Sequence, residues 1–412
     1  MTSRPVLDTI SSSSRFFPEQ VIAEQRINVL QERYNVLITR RNEVNLLWDN
    51  GVFSRFKYPV LTNEHIPLEW RYDLNVQDNP FMMERLGVNA VFNPGAIEQD
   101  GKLLLMARVE GNDRKSFFAL AESTSGVDGF CFRPEPVAIP GTDSPDINVY
   151  DMRLTRHEDG WIYGLFCTER KDPSAPEGDT SAAEAQCGIV RSRDLCSWER
   201  LPDLKTPSPQ QRNVVLHPEF VNGRYMLYTR PQDGFINAGS GGGIGYGFCS
   251  SLESPVIDEE KIVDSRIYHT VKEVKNGQGP SPLKTPQGWI HLAHGVRNTA
   301  TGLRYVLYLF MTDLREPWRV TYIPGGHFLA AWGDERVGDL SNIVFSNGWV
   351  ACEDGTVFIY YASGDTKVHV AVSSLDRLLD YVLNTPEDPL LSAGSVQQRL
   401  ALIRKNMSQN IQ

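Results

Sequence analysis

The sequence predicts an all-β fold, a five-bladed β-propeller with helical N- and C-terminal extensions. Two observations carry this reading. First, one unit recurs: a polar turn closed by glycine, then an apolar run. It reads "GKLLLMAR" from Gly101, "GWIYGLFC" from Gly160, "GRYMLYTR" from Gly223, "GWIHLAHG" from Gly288 and "GTVFIYYA" from Gly355. Second, the intervals are nearly constant, at 59, 63, 65 and 67 residues. Each turn follows another short segment, "NPGAI", "YDMRL", "HPEFV", "PSPLK" or "NGWVA". Strand, tight turn and strand at a regular period mark a repeat architecture. The period is too long for a solenoid coil and fits a four-stranded blade with generous loops. A two-sheet sandwich would need the same regularity by coincidence.

The remaining elements frame the ring. From Pro18 to about Asn45 the chain reads as helix, with Ile27, Leu30, Tyr34 and Leu37 on one face. Glu24, Arg26, Glu32, Arg33 and Arg40 supply its polar cover. "FKYPVLT" (56–62) is the candidate strand that closes the last blade. "LDRLLDYVL" (375–383) and "VQQRLALIRKN" (396–406) read as short helices. The division is thus an N-terminal helical extension (1–55), a propeller catalytic domain (56–374) and a C-terminal helical extension (375–412). The apolar stripe of the N-terminal helix has no evident place within a closed ring, which predicts a homo-oligomer.

Composition narrows the partners. The 412 residues are 41% hydrophobic and 22% charged, with 33 glycines and 25 prolines to serve many turns. A net charge of −10 disfavours nucleic acid and anionic membrane surfaces, yet allows a basic pocket for a small anion. "MTSRPVLDTISSSSRFF" lacks the apolar core of a signal peptide, and no apolar run reaches transmembrane length. Six scattered cysteines without a C-x-x-C pair fit reduced thiols of a cytoplasmic protein. They offer no metal-ligand spacing, so neither metal nor cofactor is expected.

In a propeller the inner strands line one axis. Aligned by distance to the turn glycine, their polar positions are Asn93, Asp151, His217, Ser281 and Ser346 or Asn347. Any one could merely satisfy a turn; five converging on an axis make a site. The second strands end in Arg108 and Glu110, Glu169 and Arg170, Arg230, His294 and Asp365. Arg191 in "GIVRSRD" and Arg212-Asn213 before His217 add to them. Arginine forks recognise phosphate or carboxylate, carboxylates and amides hold sugar hydroxyls, and Tyr150, Tyr246 and Trp289 offer flat faces for a sugar ring. The chemistry is a sugar plus an anion. Walker and G-x-S-x-G motifs are missing, and "GSGGGIGYGF" (239–248) lacks dinucleotide spacing. Its glycines suit either close approach to a ligand or a flexible connection. His291 and His294 would face opposite sides of a strand and make a poor metal pair.

"NPGAIEQDGKLLLMARVE", "VYDMRLTRHEDGWIYGLFCTERKD", "LHPEFVNGRYMLYTRPQDGF" and "GSGGGIGYGF" resemble the β-mannoside phosphorylases of glycoside hydrolase family 130 over roughly residues 45–375. The resemblance is nearest the branch acting on 4-O-β-D-mannosyl-D-glucose. It implies an inverting phosphorolysis that yields α-D-mannose 1-phosphate and D-glucose. It also implies a hexamer among the possible assemblies. An inverting hydrolase needs an acid and a base; phosphate is already a nucleophile, so one acid suffices. The resemblance assigns that acid to Asp151 of Tyr150-Asp151-Met152-Arg153, acting through the 3-hydroxyl of mannose. It places phosphate on Arg170 and Arg191, with Asn213 and His217 as further contacts, and mannose on Asn93, Arg108 and Asp365. The chain carries Arg212 near a position where many members have lysine. The rivals are a β-mannosidase on the same fold, with Glu110, Glu169 or Glu219 as base, and a non-catalytic carbohydrate- or protein-binding propeller.

Overall fold

The computed structural model describes residues 19–235 and 237–409. Met1–Phe17, read above for a leader, and the helix start at Pro18 lie outside the described residues. The chain is mostly β, and its strands follow one another as five antiparallel meanders. The first is Val88–Gln99, Lys102–Gly111, Ser116–Ser123 and Cys131–Phe132. The second is Asn148–Arg156, Ile162–Lys171, Ala183–Ser192 and Glu199–Leu204. The third is Val215–Leu216, Tyr225–Thr229, Ile244–Cys249 and Lys261–Asp264. In the fourth, a first strand broken into Lys275–Gln278 and Leu283–Thr285 pairs with Gly288–Thr299, followed by Gly302–Thr312 and Val320–Tyr322. The fifth is Val344–Ala351, Thr356–Ser363 and Lys367–Ser374, and its outer strand, Ser54–Arg55, comes from the N-terminal side.

Turn chemistry explains the hairpins. Gly101, Gly160, Gly223 and Gly355 have φ between +71° and +85°, where a side chain would be strained. The apolar runs after them become second strands whose residues are largely buried. Packing between meanders is cyclic. One apolar cluster joins the first and second meanders around Met106, Met152 and Phe166. Others join the second and third around Ile189 and Leu227, and the third and fourth around Met226 and Phe310. The series closes with clusters joining fourth to fifth around Leu309 and Ile359, and fifth to first around Leu105 and Tyr360.

The first strands are hydrogen-bonded in the same cyclic order. Asn93 Nδ2 donates to Asp151 Oδ1 (3.0 Å), and Thr155 Oγ1 to the Leu216 carbonyl (3.4 Å). Ser281 Oγ donates to the same carbonyl (3.0 Å), Trp349 Nε1 to the Ser281 carbonyl (2.6 Å) and Asn347 Nδ2 to the Asn93 carbonyl (3.2 Å). A parallel pair, Asn347 with Gly95, joins the fifth and first meanders into one sheet. The strands crowd here: a Cβ on Gly95 would lie 2.6 Å from the Met152 carbonyl oxygen.

Two boundaries differ from the sequence reading. The closing strand is Ser54–Arg55 rather than 56–62, although Leu61 bridges Val368 nearby. It is pinned by a buried Arg55–Glu335 ion pair, which the run of apolar residues at 56–62 did not reveal. The N-terminal helix spans Glu19–Thr39, and Ile27, Leu30, Tyr34 and Leu37 are half-buried, the last three lining a groove shared with Leu68 and Tyr72. Val29 and Val36 remain exposed. The C-terminal helices are Leu375–Asn384, anchored by buried Leu378 and Val382, and Ser392–Ser408, which buries no residue.

Candidate active site

A cavity of about 220 Å³ collects side chains from all five meanders. Asn93 and Arg108 come from the first, and Tyr150 and Asp151 from the second. Arg212 and Asn213 precede the first strand of the third, and Arg230 follows its second. Lys275, His294 and Tyr305 come from the fourth, and Phe345 and Asp365 from the fifth.

Local backbone irregularity aims several of these groups. The strand register slips between Phe92 and Gly95 and between Tyr150 and Arg153. Inside those bulges Asn93 and Asp151 take φ of +44° and +59°. A bulge redirects one side chain from an otherwise regular strand, and non-glycine residues with positive φ persist where their surroundings hold them. Asp365, at φ +55°, sits in the tight turn between the second and third strands of the fifth meander.

One wall of the cavity is acidic. Asp151 Oδ1 accepts from Asn93 and, at 3.3 Å, from Arg108 Nη1. The same guanidinium reaches Glu110 Oε2 (2.7 Å) and Ser116 Oγ (2.9 Å). Burial opposes the charge of Arg108, but Asp151 and Glu110 outweigh it and raise its pKa. Asp365 is pushed up to about 6, first by burial and then by the nearby Asp151 charge. Behind this wall, buried Arg153 donates to the Asp151 carbonyl (2.8 Å) and to the Gly279 carbonyl (3.2 Å).

A second part of the lining is cationic and, among the described residues, uncompensated. Among the described residues Arg212, Arg230 and Lys275 form no ion pair with a carboxylate. Arg230 is buried and reaches His294 Nε2 at 3.3 Å. Its pKa falls to about 10 through burial, with Arg212 and Arg153 adding to the effect. That of Lys275 falls to about 7 through burial, then through Arg230 and Arg212. His294 is held well below its ordinary value by burial and by Arg230, so it is neutral. Asn213, in the orientation that satisfies its amide, accepts from Arg153 Nη2 (2.8 Å) and donates to the Arg212 carbonyl (3.0 Å). Three cations crowded without counter-charge are unfavourable unless an anion joins them.

The structure therefore brings together Asn93, Arg108, Asp151, Asn213 and Asp365, and leaves Arg170, Arg191 and His217 outside the cavity. Arg170 is consumed by its own meander: Nη2 meets Asp146 (2.6 Å) and Nη1 meets Asp203 (2.8 Å). Arg191 pairs with Tyr163 near the Gly160 turn, at the far end of the hairpin from Asp151. There it bonds Glu199 (2.8 Å) and Glu253 (3.2 Å). The ring of His217 packs 4.4 Å from that of Trp289, and burial lowers its pKa to about 4.

The proposed hydrolytic bases are also elsewhere: Glu110 holds Arg108, Glu219 holds Lys284, and Glu169 does not line the cavity. Tyr246 is stacked on Trp318 (5.5 Å, 5°) and Trp289 is buried, so neither faces the cavity. The glycine-rich run lies outside it too; Gly242 instead accepts from the Asn276 backbone (2.8 Å), beside Lys275. Lys275 and Tyr305 escaped the sequence reading. Asn93 precedes its turn glycine by 8 residues, Asp151 by 9, Asn213 by 10 and Lys275 by 13. His217 and Ser281, taken above as the near-equivalent positions, stand 6 and 7 residues before their glycines, a few residues too far along.

The fold and this arrangement of acid and cations describe a carbohydrate-active enzyme with an anion subsite. Residues 63–384 match the family model described as beta-1,4-mannooligosaccharide phosphorylase, and the chain belongs to glycoside hydrolase family 130. It is 60% identical over 374 residues to the 4-O-beta-D-mannosyl-D-glucose phosphorylase of Bacteroides fragilis, covering 91% of this chain and 95% of the relative. It is 32% identical to the beta-1,4-mannooligosaccharide phosphorylase of Ruminococcus albus, covering 76% and 90%. In structure it is similar to the beta-1,2-mannobiose phosphorylase of Listeria innocua, with a TM-score of 0.60 at 20% identity, covering 72% and 92%. Among the described residues no cluster with metal-ligand character occurs, and no helix is long and apolar enough to cross a membrane.

Proposed function

We propose that the protein is an inverting phosphorylase that converts 4-O-β-D-mannosyl-D-glucose and phosphate reversibly to α-D-mannose 1-phosphate and D-glucose. The observation that carries this is the uncompensated cation wall of Arg212, Arg230 and Lys275 in the same cavity as Asp151. Phosphate binds on that wall, with Asn213 and neutral His294 as hydrogen-bonding partners, and attacks the anomeric carbon. Asp151 supplies the proton to the leaving oxygen through the mannose 3-hydroxyl, as the family resemblance implies. Asn93, Arg108 and Asp365 hold the mannose. No second carboxylate is needed, because the nucleophile arrives already charged. Phosphate is a co-substrate, and the reaction calls for no cofactor.

Five meanders, cyclic packing and a hydrogen-bonded ring of first strands support a five-bladed β-propeller, running from the closing strand at Ser54 to Ser374, with helical extensions on either side. Exposed Val29 and Val36 on the N-terminal helix, and Val396, Leu400, Ile403 and Met407 on the C-terminal one, support a homo-oligomer, with a hexamer as the assembly to test for. Six free cysteines support a cytoplasmic location.

The test is to incubate the protein with mannosylglucose with and without phosphate. Mannose 1-phosphate should form only with phosphate. Equal cleavage to free mannose in phosphate-free buffer would sink this reading in favour of a β-mannosidase; no turnover under either condition would favour a binding protein.

A further inference from the structure

Tyr150 lines the cavity with both the acidic and the cationic groups; on sequence grounds its face suits a sugar ring, but the mechanism proposed above does not use it. Its side chain is buried, with 4% exposure. The Arg108 guanidinium carbon lies 4.8 Å from the ring centroid, and that of Arg212 lies 5.7 Å from it. One ring thus contacts the cation that steadies Asp151 and the first cation of the anion wall. Cations are attracted to an aromatic face, more strongly where water is excluded. Each arginine has a second aromatic support: Phe92 at 4.4 Å from Arg108, and Phe235 at 4.3 Å from Arg212. Tyr150 is the support they share. Its hydroxyl is buried near Cys167 and Arg212 but makes no hydrogen bond of good geometry among the described residues. The hydroxyl therefore presents no surface to a ligand, whereas the ring presents two to guanidiniums.

We propose that Tyr150 is a positioning residue whose ring, not its hydroxyl, fixes the separation between the Arg108–Asp151 pair and the Arg212 end of the anion wall. The inference rests on the phosphorylase reading. In an inverting displacement the nucleophile enters opposite the leaving group, so acid and phosphate must be held a set distance apart. Misplacement by about 1 Å can cost on the order of a hundredfold in rate. The ring sits one residue before the acid, so a single strand sets both.

The experiment measures kcat and the KM for phosphate in wild type, Tyr150→Phe and Tyr150→Leu, with melting temperatures alongside. Tyr150→Phe should stay within about twofold of wild type and melt no lower, since an unpaired buried hydroxyl is a cost when retained. Tyr150→Leu should lower kcat and raise the phosphate KM together, each by about tenfold, as expected for losing cation–aromatic contacts in a desolvated site. If Phe is as impaired as Leu, the hydroxyl is the operative group and the proposal is wrong. Wild-type kinetics in folded Tyr150→Leu would also overturn it. Should Leu not fold, Tyr150→Met fills more of the volume and is read the same way, while the Phe result stands by itself. Loss of phosphate dependence in wild type would overturn the phosphorylase reading itself, and shows in the control rather than in the variants.

Discussion

Arg170 and Arg230 occupy similar places, each at or just past the end of the second strand of its meander, yet they meet opposite fates. Arg170 faces Asp146 and Asp203, which in turn bind Arg200 in a closed square of alternating charge. Arg230 is buried beside two other arginines and a neutral histidine. An arginine whose charge is already balanced braces the fold. One whose charge is left over is suited to hold an anion. The residue type is the same in both; the surrounding carboxylates decide its work.

The largest expected effect tests the acid that shares the cavity with Arg230. Asp151→Asn should fold normally and lose phosphorolysis by a hundredfold or more, the usual contribution of general acid catalysis. Near-normal turnover would remove Asp151 from the mechanism.

The next test breaks the comparison directly. Arg230→Ala should raise the phosphate KM by about tenfold to a hundredfold, matching the loss of a charged hydrogen bond worth about 1.5–3 kcal/mol. Arg170→Ala should leave that KM within about twofold and instead lower the melting temperature, because Asp146 and Asp203 lose their partner. The reverse pattern in steady-state kinetics would return phosphate binding to Arg170.

Titration sharpens the same contrast. Lys275 has its pKa depressed to about 7 by burial and by Arg230 and Arg212, so its ammonium is present below that pH and lost above it. Sulfate, whose charge does not change in this range, is the cleaner probe. Its inhibition constant against phosphate should rise as the pH passes from about 6 to 8, and Lys275→Arg should flatten the change. A flat profile in wild type would mean that Lys275 keeps its charge throughout.

The smallest effect lies on the acidic wall. Asp365 has its pKa raised to about 6, above the ordinary carboxylate value. Its burden is absent below that ordinary value, grows as the pH rises from there to about 6, levels off above, and amounts to no more than about 3 kcal/mol at neutrality. Asp365→Asn should therefore melt a few degrees higher at pH 7, with no gain at pH 4, while binding mannoside less well. A lower melting temperature at pH 7 would show that the carboxylate stabilises the fold.

The repeat was legible in the sequence because each hairpin turn closes on a glycine, four of the five at a φ between +71° and +85°, and these glycines recur at nearly constant intervals. Asp151, Asn93, Arg108, Asn213 and Asp365, which line the cavity, each lie within 10 residues of a turn glycine. Lys275 lies 13 residues before its glycine and escapes the repeat pattern, because the first strand of the fourth meander breaks between Gln278 and Leu283 and adds residues before the turn. That Arg170 and Arg191 lie outside the cavity was hidden for another reason. Their neutralising partners, Asp146, Asp203, Glu199 and Glu253, are remote in sequence or on other strands, so only the folded chain reveals the compensation.

The closing strand has a consequence for biosynthesis. Ser54 pairs with Val372, 318 residues later, so the N-terminal end of the last sheet emerges from the ribosome long before its partner exists. The first four meanders can form by local pairing as they appear, but their shared clusters cannot become a closed circuit until translation is almost finished. Such a long separation in sequence makes the final step slow, and during the wait the edge strand Lys367–Ser374 and the apolar surfaces of the first and fifth meanders are open to the wrong neighbours. A stall or premature stop before Lys367 would leave a chain that has most of its strands and no latch.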